Sequence, residues 1–69
     1  MALNYNKLWK LLIDKKMTKT DLRNITGISQ STLAKLVNSE NVNTEILERI
    51  CKALNCDVFD IVEVGKVND

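Results

Sequence analysis

The sequence contains no histidine and no proline, and it has only two cysteines, two glycines and three aromatic residues. Without histidine, the two cysteines supply too few soft ligands for a tetrahedral zinc site. The scarcity of proline and glycine suits helices that are joined by short turns. No stretch approaches the ~20 apolar residues of a membrane span, and the N-terminus lacks the long apolar run of a secretory signal. We therefore expect a cytoplasmic protein that binds no metal or other cofactor.

Residue patterns typical of a catalytic centre are also absent from the sequence. The serines have no base at a suitable spacing, and the acidic residues are scattered along the chain. Neither a glycine-rich phosphate loop nor a paired-carboxylate motif is present. A chain of 69 residues has little room for a deep substrate pocket. We therefore expect a binding protein that is not an enzyme and that takes no small-molecule ligand.

Length and composition predict one small helical domain over residues 1–69. An apolar fraction of 45% is ample for its core, which leucine, isoleucine and valine must fill because aromatic residues are few. Cys51 falls on the apolar face of a predicted helix, so we expect a buried thiol that packs as a small hydrophobic group. Its spacing of five from Cys56 is unfavourable for a disulfide.

Charge is unevenly distributed, although the net charge is only +1. Residues 1–35 hold seven basic and two acidic groups, a net charge of +5. Residues 36–69 hold three basic and seven acidic groups, a net charge of −4. A positive half is what a nucleic-acid-binding protein needs, because phosphate neutralisation supplies much of its affinity. Charge alone leaves open the alternative of ordinary solvated helix faces.

Residues 18–38 have the pattern of two short helices joined by a tight turn. In the first helix, Thr18 and Asp21 have the spacing of a capping box. Leu22 and Ile25 give this helix an apolar face. Gly27 is expected to end it, because glycine enters the left-handed conformation without a Cβ penalty.

The second helix of this pair follows directly after Gly27. Ile28 is expected to fill the space between the two helices, and Ser29 is expected to cap the second one. The predicted buried face comprises Leu33, Leu36 and Val37. Two short helices with a glycine turn and a capped second helix predict a helix-turn-helix over residues 18–38.

Two core helices are predicted on either side of the helix-turn-helix. Asn6 is a candidate N-cap for a helix over residues 7–16, whose apolar stripe includes Leu8, Leu11 and Leu12. Trp9 falls within this apolar period, which favours core packing over stacking on a base. Asn43 is expected to cap a helix over residues 44–54, and Asn55 is expected to end it. Its wide apolar face comprises Ile46, Leu47, Ile50, Cys51 and Leu54, and its predicted ion pairs are Glu45–Arg49 and Glu48–Lys52.

The C-terminal segment is predicted to contain a last short helix over residues 58–61, capped by Asp57. Phe59 is expected to close the bottom of the core. Residues 61–64 alternate and are rich in β-branched side chains, which leaves two alternatives open. They form a strand that pairs with residues 2–4, or they meet another subunit. Residues 65–69 are expected to be a frayed polar tail.

These motifs together resemble the Cro-type (xenobiotic-response-element) phage-repressor helix-turn-helix family. The resemblance covers roughly residues 8–61 and implies an all-α, five-helix lambda-repressor-like DNA-binding domain, with a possible short C-terminal strand. The matching positions in the helix-turn-helix are Met17, Thr18, Lys19, Leu22, Gly27, Ile28, Ser29, Gln30, Ser31, Thr32, Leu33, Leu36 and Asn38. Those that follow it are Leu47, Ile50, Ala53 and Leu54.

The resemblance also implies a site, with the third helix in the major groove of double-stranded DNA. The expected base contacts are Gln30, Ser31, Thr32 and Lys35. The expected DNA backbone contacts are Lys19, Ser29, Asn38 and Arg23. The family often has glutamine at position 19 and usually alanine at position 23. Arg23 is therefore expected to lay its stem along the helix pair and to extend its head to solvent.

A small, repressor-like transcriptional regulator is the function that this resemblance implies. One alternative is an antitoxin-type DNA-binding protein, and another is a protein-interaction module that has the fold without DNA binding. Over 69 residues we expect no separate ligand-sensing domain. A homodimer is expected because one recognition helix contacts few base pairs. The candidate interface comprises Phe59, Ile61, Val62 and Val64.

Overall fold

The computed structural model describes residues 3–64, which form four α-helices, one 3₁₀ turn and a two-stranded sheet. The elements in chain order are β1 (Leu3–Asn4), α1 (Asn6–Asp14), α2 (Lys19–Thr26), α3 (Gln30–Val37), α4 (Thr44–Leu54), the 3₁₀ turn (Val58–Asp60) and β2 (Glu63–Val64). Among these residues, no helix is both long enough and apolar enough to cross a membrane.

The expected fifth helix is only the single 3₁₀ turn, so the five-helix count is wrong. The Asp60 carboxylate accepts a hydrogen bond from the backbone N–H of Asp57 at 3.0 Å, which closes the turn on itself. The helix does not continue past this turn, because Ile61 enters the core and the residues after Val62 pair as a strand. Such short segments are the usual length of 3₁₀ helices.

The C-terminal segment pairs with the N-terminal segment of the same chain. β1 and β2 are antiparallel, with Leu3 opposite Val64 and Asn4 opposite Glu63. Of the two alternatives for residues 61–64, the structure therefore has the internal strand. The predicted frayed tail, residues 65–69, and Ala2 lie outside the described residues.

The first helix begins one residue earlier and ends two residues earlier than the predicted range of 7–16. Asn6 is not its N-cap but its first residue, and the side chain of Asn4 accepts the Asn6 N–H at 3.1 Å. The helix ends at Asp14 because Lys16 adopts the left-handed conformation, with φ at 58°, which an α-helix of L-residues does not continue.

The fourth helix has the predicted range and both predicted ends. The Asn43 side chain accepts the N–H of Ile46 at 3.0 Å, and Asn55 ends the helix in the left-handed conformation. Arg49 and Glu45 form one of the two predicted ion pairs, at 3.6 Å. The other pair, Glu48 and Lys52, is within the described residues but is not formed.

All four α-helices contribute to one core, together with residues from both ends of the chain. Its buried members are Tyr5, Leu8, Leu12, Leu22, Ile28, Leu33, Leu36, Ile50, Leu54 and Ile61. The Tyr5 hydroxyl donates to the backbone carbonyl of Glu40 at 2.9 Å, which attaches the connection after α3 to the start of α1. The Lys7 ammonium donates to the carbonyl of Phe59 at 3.1 Å and attaches α1 to the 3₁₀ turn.

Phe59 does not close the core, because 79% of its surface is exposed. Ile61 takes this place and is fully buried, so Ile61 is also unavailable for the expected dimer interface. A 3₁₀ helix has three residues per turn. A side chain two positions before Ile61 therefore points away from the direction in which Ile61 enters the core.

Two further residues predicted to be buried are about half exposed, namely Ile25 and Val37. α2 faces the core through Leu22, and α3 faces it through Leu33 and Leu36. Each helix has only eight residues, so its core-facing stripe is narrow and these two side chains lie at its edge.

Both cysteines have free thiols that are half-buried against the core. The backbone N–H of Cys56 donates to the carbonyl of Cys51 at 3.0 Å, just past the end of α4. Burial raises the pKa of both thiols, and it raises the pKa of Cys56 to about 11. Both groups are therefore neutral near pH 7. Cys51, which was expected to be buried, is half-buried and packs against the core.

Candidate nucleic-acid interface

The first helix of the helix-turn-helix begins with the predicted capping box. The Thr18 hydroxyl accepts the N–H of Asp21 at 3.1 Å, and the Asp21 carboxylate accepts the N–H of Thr18 at 2.9 Å. Two of the N–H groups that a helix start leaves unpaired are thereby satisfied. Lys19 is consequently held at the first position of α2, at the positive end of the helix dipole.

Gly27 ends α2 in the left-handed conformation, with φ at 73° and ψ at 14°. Its N–H donates to the carbonyl of Arg23 at 2.9 Å. Ile28 then enters the core with 5% of its surface exposed. The turn is therefore short and anchored on its inner side, which determines the direction in which α3 leaves it.

Three hydroxyl groups cluster at the start of α3. Ser29 caps the helix by accepting the N–H of Thr32 at 3.1 Å. Its hydroxyl lies 3.0 Å from that of Ser31 and 2.9 Å from that of Thr32. Each hydroxyl has one rotatable O–H donor, so either partner in the two hydroxyl–hydroxyl contacts can donate.

Three polar side chains are exposed on α3, and the helix carries no acidic group. Gln30, Ser31 and Lys35 are exposed, whereas Thr32 is half-buried. No acidic residue occurs between Asp21 and Glu40. This surface therefore combines amide, hydroxyl and ammonium groups with a positive local charge, which complements the base edges and phosphates of a duplex.

The residues expected to contact the DNA backbone differ in exposure and in the contacts that they make. Asn38 is exposed directly after α3, where its N–H donates to the carbonyl of Ala34 at 3.0 Å. Arg23 is half-buried on α2, as expected for a stem that lies along neighbouring side chains. Ser29 is exposed, but its hydroxyl acts in the cap described above.

Lys19 makes a contact that the sequence did not reveal. Its ammonium lies 4.9 Å from the centroid of the Trp9 ring on α1. Trp9 is half-buried against the core, as the apolar period predicted. The pair joins two helices that are separated by a turn with a left-handed residue, so no periodicity in the sequence indicated it.

The described residues form no cluster that could hold a metal ion. Within residues 3–64, no three potential metal ligands of the histidine, cysteine, aspartate or glutamate type converge.

Comparisons with known proteins agree with this geometry. The family model of the Cro/C1-type helix-turn-helix DNA-binding domain matches residues 7–66. The uncharacterized HTH-type transcriptional regulator YozG of Bacillus subtilis (strain 168) is 38% identical over 61 residues, which are 86% of this chain and 73% of YozG. The crystal structure of the transcriptional regulator VanUg, form II, is similar with a TM-score of 0.88 and 55% identity, over 90% of this chain and 83% of VanUg. The chain therefore belongs to the Cro/C1-type helix-turn-helix family of DNA-binding transcriptional regulators.

Proposed function

We propose that the chain is a small, repressor-like regulator that binds double-stranded DNA sequence-specifically, with the start of α3 in the major groove. The observation that carries this proposal is the exposed, acid-free polar surface at the start of α3, rigidly capped by Ser29. The major groove admits an α-helix and presents a distinct donor and acceptor pattern for each base pair. Helix-turn-helix proteins place the first residues of their second helix at those base edges.

Direct base contacts are assigned to four side chains of α3. Gln30 is the foremost of these, because its exposed amide at the first helical position can pair with N6 and N7 of adenine. Lys35 follows on the exposed face and can donate to guanine. The other two are Ser31 and Thr32, which offer hydroxyl groups and, from Thr32, a methyl group for thymine.

Phosphate contacts are assigned to residues around this helix. Lys19 is the foremost, because it lies at the N-terminus of α2, where free N–H groups and the helix dipole favour anions. The remaining assignments are Ser29, Asn38 and Arg23. Such contacts orient a protein on the duplex and do not select the sequence.

Salt dependence provides the first test of this function. Affinity for a duplex of random sequence should be measured by fluorescence anisotropy at increasing salt concentration. Two cationic phosphate contacts per chain, from Lys19 and Arg23, predict a slope of log affinity against log salt of about −2 per bound chain. A duplex affinity that does not fall with salt would contradict the phosphate assignments. Absence of duplex binding even at low salt would favour a protein-interaction module.

Separate variants distinguish base contacts from phosphate contacts. Gln30→Ala should cost about 1–3 kcal/mol on the best duplex selected from a random pool, with little loss on random DNA. Lys19→Ala should weaken both nearly equally and reduce the salt slope by about one. Lys52→Ala, an exposed lysine on α4, is the matched control and should change neither. Equal losses for Gln30→Ala on the two duplexes would remove Gln30 from base recognition.

We further propose that the chain forms a homodimer through its exposed C-terminal apolar residues. Val64 on β2 is 54% exposed, and Phe59 has the largest exposure among the large hydrophobic residues described. Val62, which is half-buried, is the third residue of this proposed interface. Two copies would place two α3 helices on half-sites about one helical turn apart, which is the usual arrangement for this motif.

Sedimentation velocity tests the dimer. Phe59→Lys should lower the association of the free protein and of its complex with a palindromic duplex. Ile13→Lys is the matched control, because Ile13 is also highly exposed, at 72%, but lies on α1. A wild type that stays monomeric at high concentration and on a palindromic duplex would refute the dimer.

A further inference from the structure

Trp9 and Lys19 form a contact between α1 and the start of the DNA-binding motif. The Lys19 ammonium lies 4.9 Å from the centroid of the Trp9 ring, within the distance of a cation–π interaction. Trp9 is half-buried against the core and is therefore a fixed platform, whereas Lys19 is exposed. A long, flexible side chain is thus held over a rigid aromatic surface.

This contact orients Lys19 without neutralising it. A carboxylate partner would hold the ammonium equally well, but its negative charge would oppose the approach of a phosphate. Among the described residues Lys19 has no ion pair, and Asp21, the nearest acid along the chain, is bonded to the Thr18 N–H at 2.9 Å. An aromatic face attracts a cation through its quadrupole and leaves the net positive charge available.

Lysine is a costly residue to immobilise, because its stem has many rotamers in the unbound state. When a freely rotating lysine binds a phosphate, it loses this rotamer freedom in the binding step, and the loss lowers the affinity. When the ammonium is held before binding, a part of that loss occurs on folding instead, and the affinity for the phosphate rises.

We propose that Trp9 is a positioning residue for DNA binding, which holds the Lys19 ammonium at the N-terminus of α2 for a backbone phosphate. This inference rests on the proposed DNA-binding function. It assigns to α1 a role in the interface without a direct contact of Trp9 with DNA. It also gives a physical role to the only tryptophan of the chain.

The single tryptophan permits a sharp test, because fluorinated tryptophan supplied during expression replaces residue 9 alone. Added fluorine atoms withdraw electron density from the ring face while its shape changes little. Affinity for a random duplex at low salt should then fall stepwise with the number of fluorines, to a total loss of about two- to fivefold. In Lys19→Met, the same series should show no loss. Far-UV circular dichroism and thermal melts monitor folding of every variant.

Conventional variants provide a second measurement of the same coupling. Trp9→Phe, which keeps a weaker aromatic face, should retain more affinity than Trp9→Leu. Trp9→Leu should weaken binding in the wild-type background by about two- to fivefold and have no effect with Lys19→Met. In the free protein, Lys19→Met should also shift the Trp9 fluorescence emission.

The outcomes separate this inference from the function on which it rests. Equal losses in the wild-type and Lys19→Met backgrounds would give Trp9 a merely structural role, and an unchanged affinity across the fluorinated series would also overturn the proposal. Either result leaves DNA binding by the wild type intact. A wild type that does not bind duplex DNA overturns both.

Discussion

Substitution of Gly27 offers a stringent test of the turn that orients α3. At φ 73°, glycine has the left-handed conformation that costs an L-residue about 1–2 kcal/mol. A methyl group at this position would meet no heavy atom within 4 Å. The penalty for Gly27→Ala is therefore conformational, without a steric clash. We expect the free energy of unfolding to fall by about 1 kcal/mol or somewhat more.

Urea denaturation followed by far-UV circular dichroism measures this loss directly. For a domain of this size, each 1 kcal/mol corresponds to a decrease of about 4–8 °C in the melting temperature. The dependence on urea should keep its slope, because the surface exposed on unfolding is unchanged. The folded fraction should retain its affinity for duplex DNA, since the backbone path of the turn is preserved.

Gly27→Asn is the matched control for this experiment. Asparagine tolerates the left-handed conformation better than other L-residues, so its loss of stability should be smaller than that of alanine. A loss well above about 3 kcal/mol for Gly27→Ala would imply a clash, and no loss at all would mean that the residue is not left-handed. An asparagine variant less stable than the alanine variant would also refute the reasoning.

Three further predictions concern stability. Lys16→Gly should raise the free energy of unfolding by about 1 kcal/mol in urea denaturation, because Lys16 is also left-handed at φ 58°; a loss would contradict its conformation. Tyr5→Phe should lower the melting temperature by an amount equivalent to roughly 1 kcal/mol, because it removes the hydrogen bond to Glu40; an unchanged melt would refute this contribution. The folded state raises the pKa of Cys56 from 9.0 to about 11. The unfolded thiol therefore releases its proton at a lower pH than the folded one, and the free energy of unfolding should fall as pH rises across this interval. Urea titrations at several pH values measure this decrease, which should be smaller in Cys56→Ala.

Features within a few residues of each other were predictable from the sequence. Thr18, Ser29 and Asn43 each accept an N–H three positions ahead, and Gly27 and Asn55 end their helices in the left-handed conformation. Each depends on local hydrogen bonds and backbone sterics, which a side chain and its near neighbours specify. The polar side chains on the α3 surface were also predictable, because helical periodicity places Gln30 and Lys35 away from the apolar stripe.

Features that depend on contacts between distant segments were not predictable in this way. Phe59 and Ile61 are both apolar and two positions apart, and only the docking of the 3₁₀ turn against α1 and α4 selects Ile61 for the core. The exposure of Ile25 follows from where α2 meets its neighbours. The contact between Trp9 and Lys19 likewise requires the packing of α1 against α2. Local chemistry thus specified where α2 and α4 begin and end and where α3 begins, whereas the choice among competing apolar side chains, and the partner of Lys19, arose from the three-dimensional packing of elements far apart in the chain.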